Sequence, residues 1–186
     1  MSLFQKKGEE FNCSVVVVAA GSSERFGSDK LFALLDGELG PARTISVFEI
    51  CESVSAIVVV APRDGLLKIA ELCDRCGFGK VAKVVVGGDT RVESALSGVS
   101  ETNRRAKLIA IHDGARPLVT RQIVEDAIDG ARWYHAAVPA IPARDTVKLA
   151  EKDIVTETPP RMTAFCAQTP QVFDPALIKG ALTNAL

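Results

Sequence analysis

Four short runs of mostly β-branched residues constrain the fold of this chain more than any other feature of its sequence. Each run is continuously apolar instead of alternating, which is typical of strands in a parallel sheet that helices cover on both faces. We therefore predict four buried strands, at residues 14–18, 56–61, 83–86 and 108–111.

The stretches between these runs carry apolar residues at helical spacing. Pro41 suits the start of one helix, Gly77 the end of another, and Thr120 suits an N-cap position. Strand–helix alternation at this spacing implies right-handed crossovers and an α/β fold with an open, mostly parallel sheet. The predicted helices span residues 41–51, 66–76, about 90–99, 120–132 and 174–186.

The pattern changes after residue 142, where apolar and polar residues alternate around Lys152 and Asp153. This alternation indicates a half-exposed antiparallel hairpin, and we interpret residues of about 143–163 as an arm that projects from the sheet. A length of 186 residues fits one domain better than two, and we place that domain at residues 13–186. The polar residues 1–12 are expected to form a flexible extension.

The net charge and the cysteine content indicate which partners and which cellular compartment to expect. The net charge is −1, whereas surfaces that bind nucleic acid or anionic membranes are normally basic. The apolar run at residues 14–20 is too short to span a bilayer, and no signal peptide is visible. Five cysteines, an odd number without secretory features, indicate reduced thiols in a cytoplasmic protein. Cys73 and Cys76 have the spacing of a metal or redox pair, but two thiols on one helix face are favoured because no second pair follows.

The loop after the first strand is the first candidate for phosphate binding, because open parallel sheets bind ligands beyond the carboxyl ends of their strands. Small residues at 19–21 would let backbone amides approach a triphosphate. Arg25 and Lys30 would supply positive charge where a transferring phosphoryl group gains negative charge. The loop has neither a Walker A end nor a dinucleotide fingerprint. A tight turn with two solvated cations is the alternative.

The loop after the third strand, residues 87–94, is a candidate for base recognition. Paired glycines expose backbone donors and acceptors, and Asp89 and Ser94 add short polar side chains. A plain helix start, with Asp89 as N-cap and Glu93 near the helix dipole, is the favoured alternative for this loop taken alone.

The loop after the fourth strand offers a metal ligand. Asp113 leaves a buried strand end, where a carboxylate can hold Mg²⁺ against phosphates, and Arg116 could bind an acceptor phosphate in bidentate fashion. The alternative is a surface ion pair between these two residues. His112 is expected to be a hydrogen-bonded structural residue, because attack by an anionic phosphate oxygen requires no general base.

Taken in order, these motifs closely resemble those of the 2-C-methyl-D-erythritol 4-phosphate cytidylyltransferases of the non-mevalonate isoprenoid pathway. The resemblance covers roughly residues 15–182. It rests on Ala-Ala-Gly with a following Arg and Lys, Gly-Gly-Asp-x-Arg-x-x-Ser, His-Asp-x-Ala-Arg-Pro, Arg-Asp-Thr-x-Lys and Gln-Thr-Pro-Gln. It implies a Rossmann-like three-layer αβα sandwich with a projecting β-arm, a homodimer formed through that arm, and Mg²⁺-dependent transfer of CMP from CTP with release of pyrophosphate.

The resemblance also implies a role for each matching position. Arg25 and Lys30 would stabilise the pentacoordinate transition state, Arg161 would reach the active site of the partner subunit, and Asp113 would hold the metal. The positions that would contact CTP are Ala19, Ala20, Gly21, Gly88, Asp89, Ser94 and Gly114, and those that would contact the polyol phosphate are Arg116, Thr146 and Thr169.

Two departures from the family pattern qualify the expected activity. Ser23 and Asp29 stand where the family commonly has Gly and Pro, and the loop before Lys30 is about two residues short. The family also continues beyond residue 186 with a Thr-Asp-Glu-type segment and a late lysine. We therefore expect this chain to be a fragment that binds CTP but is weakly active or inactive.

Two other functions remain open at the level of sequence. Ribitol 5-phosphate cytidylyltransferases share almost every motif and differ in the acceptor. From a different class, the chain could be a non-catalytic nucleotide-binding module on the same fold. An NAD-binding domain is a weaker alternative because the glycine fingerprint is absent.

Overall fold

The structure is a computed structural model that describes residues 12–21, 34–35 and 37–186. Its helices are α1 (Gly40–Glu49), α2 (Leu66–Cys76), α3 (Arg91–Ser100), α4 (Arg121–Tyr134) and α5 (Pro175–Asn184). Its strands are β1 (Cys13–Val18), β2 (Leu34–Leu35), β3 (Glu38–Leu39), β4 (Val54–Ala61), β5 (Val81–Val86), β6 (Leu108–Asp113), β7 (Ala136–Ala137), β8 (Ala140–Pro142), β9 (Leu149–Glu151), β10 (Ile154–Glu157), β11 (Phe165–Ala167) and β12 (Gln171–Phe173).

The central sheet has six strands in the order β5-β4-β1-β6-β12-β7. β1 pairs in parallel with β4 and β6, and β4 pairs in parallel with β5. β12 runs antiparallel to both β6 and β7. The sheet is therefore mostly parallel, and the predicted α/β fold is confirmed.

Side chains on alternate positions of the central strands face two separate apolar layers. Val15 and Val17 of β1 pack with residues of α1, α2 and α4, whereas Val16 packs with residues of α3 and α5. Burial on both faces explains why β1, β4 and β6 are continuous apolar runs. The result is the three-layer αβα sandwich that the resemblance implied.

The five predicted helices and four predicted strands are present, with bounds that differ by a few residues at most. Pro41 lies in the first turn of α1, Gly77 ends α2 in the left-handed conformation, and Thr120 caps α4. The prediction of Asp89 as an N-cap is wrong. Thr90 caps α3, because its hydroxyl accepts from the amide of Glu93 while the Glu93 carboxylate accepts from the amide of Thr90.

The prediction that the strand at residues 83–86 is buried on both faces is also wrong. β5 is the edge strand of the sheet, and its residues are exposed or only half-buried. An edge strand has a neighbour on one side only, so the helices cover it less completely.

Residues 140–167 form two antiparallel ladders that extend the fold beyond the main sheet. β8 pairs with β11, and β9 pairs with β10 around Lys152 and Asp153, both of which have positive φ. The division into a domain at 13–186 and an arm at about 143–163 stays a prediction. Of the predicted extension at residues 1–12, only Asn12 lies within the described residues. Within the described ranges, no helix is long and apolar enough to cross a membrane.

Candidate active site

Three loops meet at the carboxyl edge of the sheet. The amide of Ala19 donates to the carbonyl oxygen of Val60 at 2.7 Å, and the amide of Gly114 donates to that of Val18 at 2.8 Å. The amide of Gly87 donates to the carbonyl oxygen of Ala61 at 2.9 Å. Each loop that follows β1, β5 or β6 thus begins with a backbone hydrogen bond to the end of a neighbouring strand, and the sequence correctly predicted that the three loops share one edge.

Gly87 lies where the loop after β5 packs closely against the loop after β1. A Cβ atom at this position would overlap the Cβ of Ala20 and would lie 2.7 Å from the Oγ of Ser94. Both contacts are shorter than real Cβ contacts, so any larger residue would push the loops apart.

Replacement of Gly87 by alanine is therefore expected to raise the dissociation constant for CTP, the ligand that the resemblance implies, by about tenfold and to lower the free energy of unfolding by about 1–3 kcal/mol. Titration calorimetry and urea unfolding measure the two effects. Gly180→Ala in α5 is the matched control, because a Cβ there meets nothing within 4 Å and alanine favours helix. CTP affinity equal to that of wild type would show that loop spacing does not shape the site.

Gly88 and Ser94 form one unit. The amide of Gly88 donates to the hydroxyl of Ser94 at 3.2 Å, and that hydroxyl contacts the carbonyl oxygen of Gly88 at 3.2 Å. Ser94 is buried, whereas Gly88 and Asp89 are exposed. The structure thus places Ser94 beneath the loop as its support, and it leaves Gly88 and Asp89 exposed to solvent.

Asp113 lies between two guanidinium groups. Arg91 donates to Oδ1 from Nη2 at 2.8 Å and from Nε at 3.2 Å, and Arg116 donates to Oδ2 from Nε at 3.0 Å. The carboxylate is 28% exposed and both arginines are more exposed than it is. One carboxylate and two guanidiniums give a local charge of +1 that suits a polyphosphate.

Sequence reasoning assigned no role to Arg91. Arg91 is the first residue of α3, so its position directly after the loop at the sheet edge was the signal that could have identified it. The ion pair of Asp113 with Arg116, considered above as an alternative, is present. Arg116 also donates from Nη1 to the Oε1 of Gln168, which leaves other guanidinium N–H groups available to a phosphate.

His112, the residue before Asp113, is buried, and both of its ring nitrogens take part in hydrogen bonds. Its Nε2 lies 3.2 Å from the carbonyl oxygen of Arg116, and its Nδ1 lies 3.0 Å from the hydroxyl of Thr169. The ring also packs edge-on against Phe48, with 5.0 Å between the ring centroids. The contacts confirm His112 as a hydrogen-bonded structural residue.

Burial lowers the pKa of His112 to about 4, and this shift makes stability depend on pH. An unfolded histidine binds a proton near pH 6.5. Because the folded pKa is depressed, the stabilisation is complete above pH 6.5 and is lost as the pH falls from 6.5 toward 4. We expect wild type to lose about 2 kcal/mol more unfolding free energy between pH 7 and pH 5 than His112→Asn does.

Urea unfolding at the two pH values measures this difference. The exposed His135 provides the control: His135→Asn should keep the full pH dependence of wild type. Equal losses in wild type and His112→Asn would show that His112 is protonated as readily when folded as when unfolded.

Two of the predicted site residues lie in another part of the chain. Thr146 and Arg161 lie in the segment between β8 and β11 and are exposed. Neither side chain makes a hydrogen bond or ion pair with any residue that the structure describes. Arg25 and Lys30 lie outside the described residues.

Cys73 and Cys76 are two separate thiols on α2. Cys73 is buried and Cys76 is exposed, and both are free. Burial raises the pKa of the Cys73 thiol to about 11, which disfavours the reactive thiolate. Among the residues with described positions, no three His, Cys, Asp or Glu side chains form a group that could hold a metal.

Comparison with known proteins identifies the family of this chain. The profile of the family IspD, 2-C-methyl-D-erythritol 4-phosphate cytidylyltransferase, matches residues 13–186. The chain belongs to that family. The family's enzyme from Halalkalibacterium halodurans is 41% identical over 174 residues, which are 92% of this chain and 76% of the relative. The one from Geobacter metallireducens is 41% identical over 172 residues, covering 89% and 74% of the two chains.

A solved structure supports the same relationship. The 4-diphosphocytidyl-2C-methyl-D-erythritol synthase from Anaerococcus prevotii superimposes with a TM-score of 0.84 at 25% identity, covering 95% of this chain and 77% of that one. As a member of the cytidylyltransferase family, this chain is a nucleotidyltransferase.

Cytidylyltransferases of this family use a divalent metal ion. Asp113 fits a site in which such an ion is held by one carboxylate together with substrate phosphates and water, as Mg²⁺ commonly is. A cage made of protein ligands alone does not fit the described residues. The arginines occupy three of the carboxylate's lone-pair sites, two on Oδ1 and one on Oδ2, so one site on Oδ2 is open to an ion.

Proposed function

We propose that this chain transfers CMP from CTP to 2-C-methyl-D-erythritol 4-phosphate and releases pyrophosphate. Family membership supports the reaction type. The observation that carries the proposal is the meeting of three strand-end loops around Asp113, Arg91 and Arg116. This arrangement brings backbone donors, two guanidiniums and a carboxylate together at one sheet edge, as transfer of a nucleotidyl group requires.

In the proposed reaction, a phosphate oxygen of the acceptor attacks the α-phosphorus of CTP. The bond between that phosphorus and the bridging oxygen breaks, and the electron pair leaves with pyrophosphate. The attacking oxygen is already anionic at neutral pH, so the reaction needs no general base. Mg²⁺ held by Asp113 would neutralise phosphate charge when bound.

Each part of the site has a distinct task in this reaction. The backbone of residues 19–21 and Gly114 contacts CTP, and the exposed Gly88 and Asp89 read the cytosine. Ser94 holds Gly88 in place. Arg25 and Lys30 stabilise the charge that develops in the transition state.

A second group of residues binds the acceptor in this proposal. The guanidinium of Arg116 receives the acceptor phosphate, with Thr169 next to it, while Thr146 contacts the polyol. Arg161 comes from the arm of a second subunit.

We further propose a homodimer formed through residues 140–167 and a cytoplasmic location. The apolar exposure of this segment supports the dimer: Ile154 is 71% exposed, Met162 is 89% exposed, and Phe165 is 59% exposed. An exposed apolar surface of this kind is typical of an interface between proteins.

An assay of pyrophosphate release tests the proposed function and its alternatives. CTP, Mg²⁺ and high enzyme concentration are combined with 2-C-methyl-D-erythritol 4-phosphate, with ribitol 5-phosphate, or with no acceptor. We expect slow but measurable release with the first acceptor, in keeping with the weak activity expected of this chain, and little with the others. Release with ribitol 5-phosphate alone would show that the chain is a ribitol 5-phosphate cytidylyltransferase instead. CTP binding without release from either acceptor would support a nucleotide-binding module instead.

A further inference from the structure

His112 connects the two parts of the site that are proposed to face the acceptor. It has no exposed surface, yet its two ring nitrogens contact the backbone of Arg116 and the side chain of Thr169. Arg116 itself bonds to Gln168, the neighbour of Thr169. The loop after β6 and the loop before β12 are thereby closed into one polar ring.

The partners of His112 determine where its ring hydrogen lies. The carbonyl oxygen of Arg116 can only accept a hydrogen bond, so Nε2 must carry the hydrogen. The ring has no exposed surface, and its nitrogens contact a carbonyl oxygen and a hydroxyl but no carboxylate that would stabilise a charged ring, so the ring is neutral. Nδ1 therefore has a free lone pair and accepts the hydrogen of the Thr169 hydroxyl.

This assignment fixes the direction of the Thr169 hydroxyl. Its one hydrogen points to His112, and its oxygen accepts from the amide of Asp113 at 3.4 Å. One lone pair remains, on a side chain that is 6% exposed. Thr169 can therefore only accept a further hydrogen bond, and it cannot donate one to a phosphate oxygen.

We propose that His112 is a positioning residue that makes Thr169 select an acceptor with a hydroxyl group at the matching position. The phosphate of the acceptor is left to Arg116, which has only donors to offer. Phosphate and hydroxyl are thus recognised by groups of opposite hydrogen-bonding character. The identity of the acceptor in this inference rests on the proposed function. The position of the hydrogen on the His112 ring does not depend on it.

The tautomer of His112 is the first test. The chain has two histidines, so ¹⁵N spectra at neutral pH can be assigned with His135→Asn, which replaces the exposed histidine. We expect the hydrogen of His112 on Nε2 and a lone pair on Nδ1. A hydrogen on Nδ1 would overturn the proposal, because Thr169 would then be free to donate.

Selectivity for the acceptor is the second test. We expect wild type to use at least one mono-deoxy analogue of 2-C-methyl-D-erythritol 4-phosphate about tenfold less well, in kcat/KM, than the full polyol phosphate. Thr169→Val and His112→Asn should reduce this preference to less than about twofold while the KM for CTP changes by less than about twofold. Thr169→Ser, which keeps the hydroxyl, should retain the preference.

The variants distinguish positioning from a general structural role. A loss of folded enzyme would lower the apparent kcat for every acceptor and leave the preference between acceptors unchanged. If His112→Asn does not fold, Thr169→Val and Thr169→Ser still test the preference. A preference that Thr169→Val leaves unchanged would refute the inference. Absence of CMP transfer by wild type would instead count against the proposed function. The ¹⁵N measurement would still show which nitrogen of His112 carries the hydrogen, and so whether Thr169 can donate.

Discussion

Replacement of Asp113 by asparagine is expected to lower kcat for CMP transfer by about 100-fold or more. The substitution preserves size but removes the negative charge that the site needs for two purposes. An amide holds a divalent ion more weakly than a carboxylate does, and it no longer balances the charges of Arg91 and Arg116. Steady-state kinetics with CTP and saturating acceptor, over a range of Mg²⁺ concentrations, measure the effect.

Asp129→Asn is the matched control for this variant. Asp129 also pairs with an arginine, Arg132, at 2.9 Å, but it does so on the exposed face of α4. Its loss should change kcat by less than about twofold, since surface ion pairs contribute little. If Asp113→Asn and Asp129→Asn had similar turnover, the proposed metal-binding role of Asp113 would be wrong.

Replacement of Lys30 by alanine is expected to lower kcat by about 100- to 1,000-fold with little change in the dissociation constant for CTP. The proposed role of this lysine is to stabilise the charge on the bridging oxygen as pyrophosphate departs. An interaction that strengthens only in the transition state affects turnover and not ground-state binding. Single-turnover kinetics and calorimetry with CTP measure the two quantities separately.

Lys107→Ala provides the control for the loss of a lysine. Lys107 is exposed and precedes β6, so it lies at the amino end of the strand, away from the candidate site. We expect this variant to keep both the turnover and the CTP affinity of wild type. A parallel loss of affinity and turnover in Lys30→Ala would mark Lys30 as a ground-state ligand.

The sequence predicted the elements well because their signals are local. Continuous β-branched runs identified β1, β4 and β6, and single residues such as Pro41 and Gly77 marked helix ends. The errors arose where the same local sequence pattern is compatible with two different structures. An apolar run at an edge strand looks like one in the centre, and Asp89 and Thr90 are both good N-caps.

The internal contacts of the site were beyond prediction from the sequence. Arg91 and Asp113 are 22 residues apart, and His112 and Thr169 are 57 apart. Such pairs form only because the topology places β6 between β1 and β12, and no local pattern encodes that order. The motifs identified which loops matter, while the partner of each side chain within them had to be observed.

In the proposed complex, one CTP molecule lies across the loops that follow β1, β5 and β6. A crystal structure of the chain with a non-hydrolysable CTP analogue and Mg²⁺ would show whether it does. We predict cytosine against Gly88 and Asp89, phosphates along the backbone of residues 19–21, and the metal ion on Asp113. A nucleotide bound elsewhere, with no metal ion on Asp113, would contradict this arrangement.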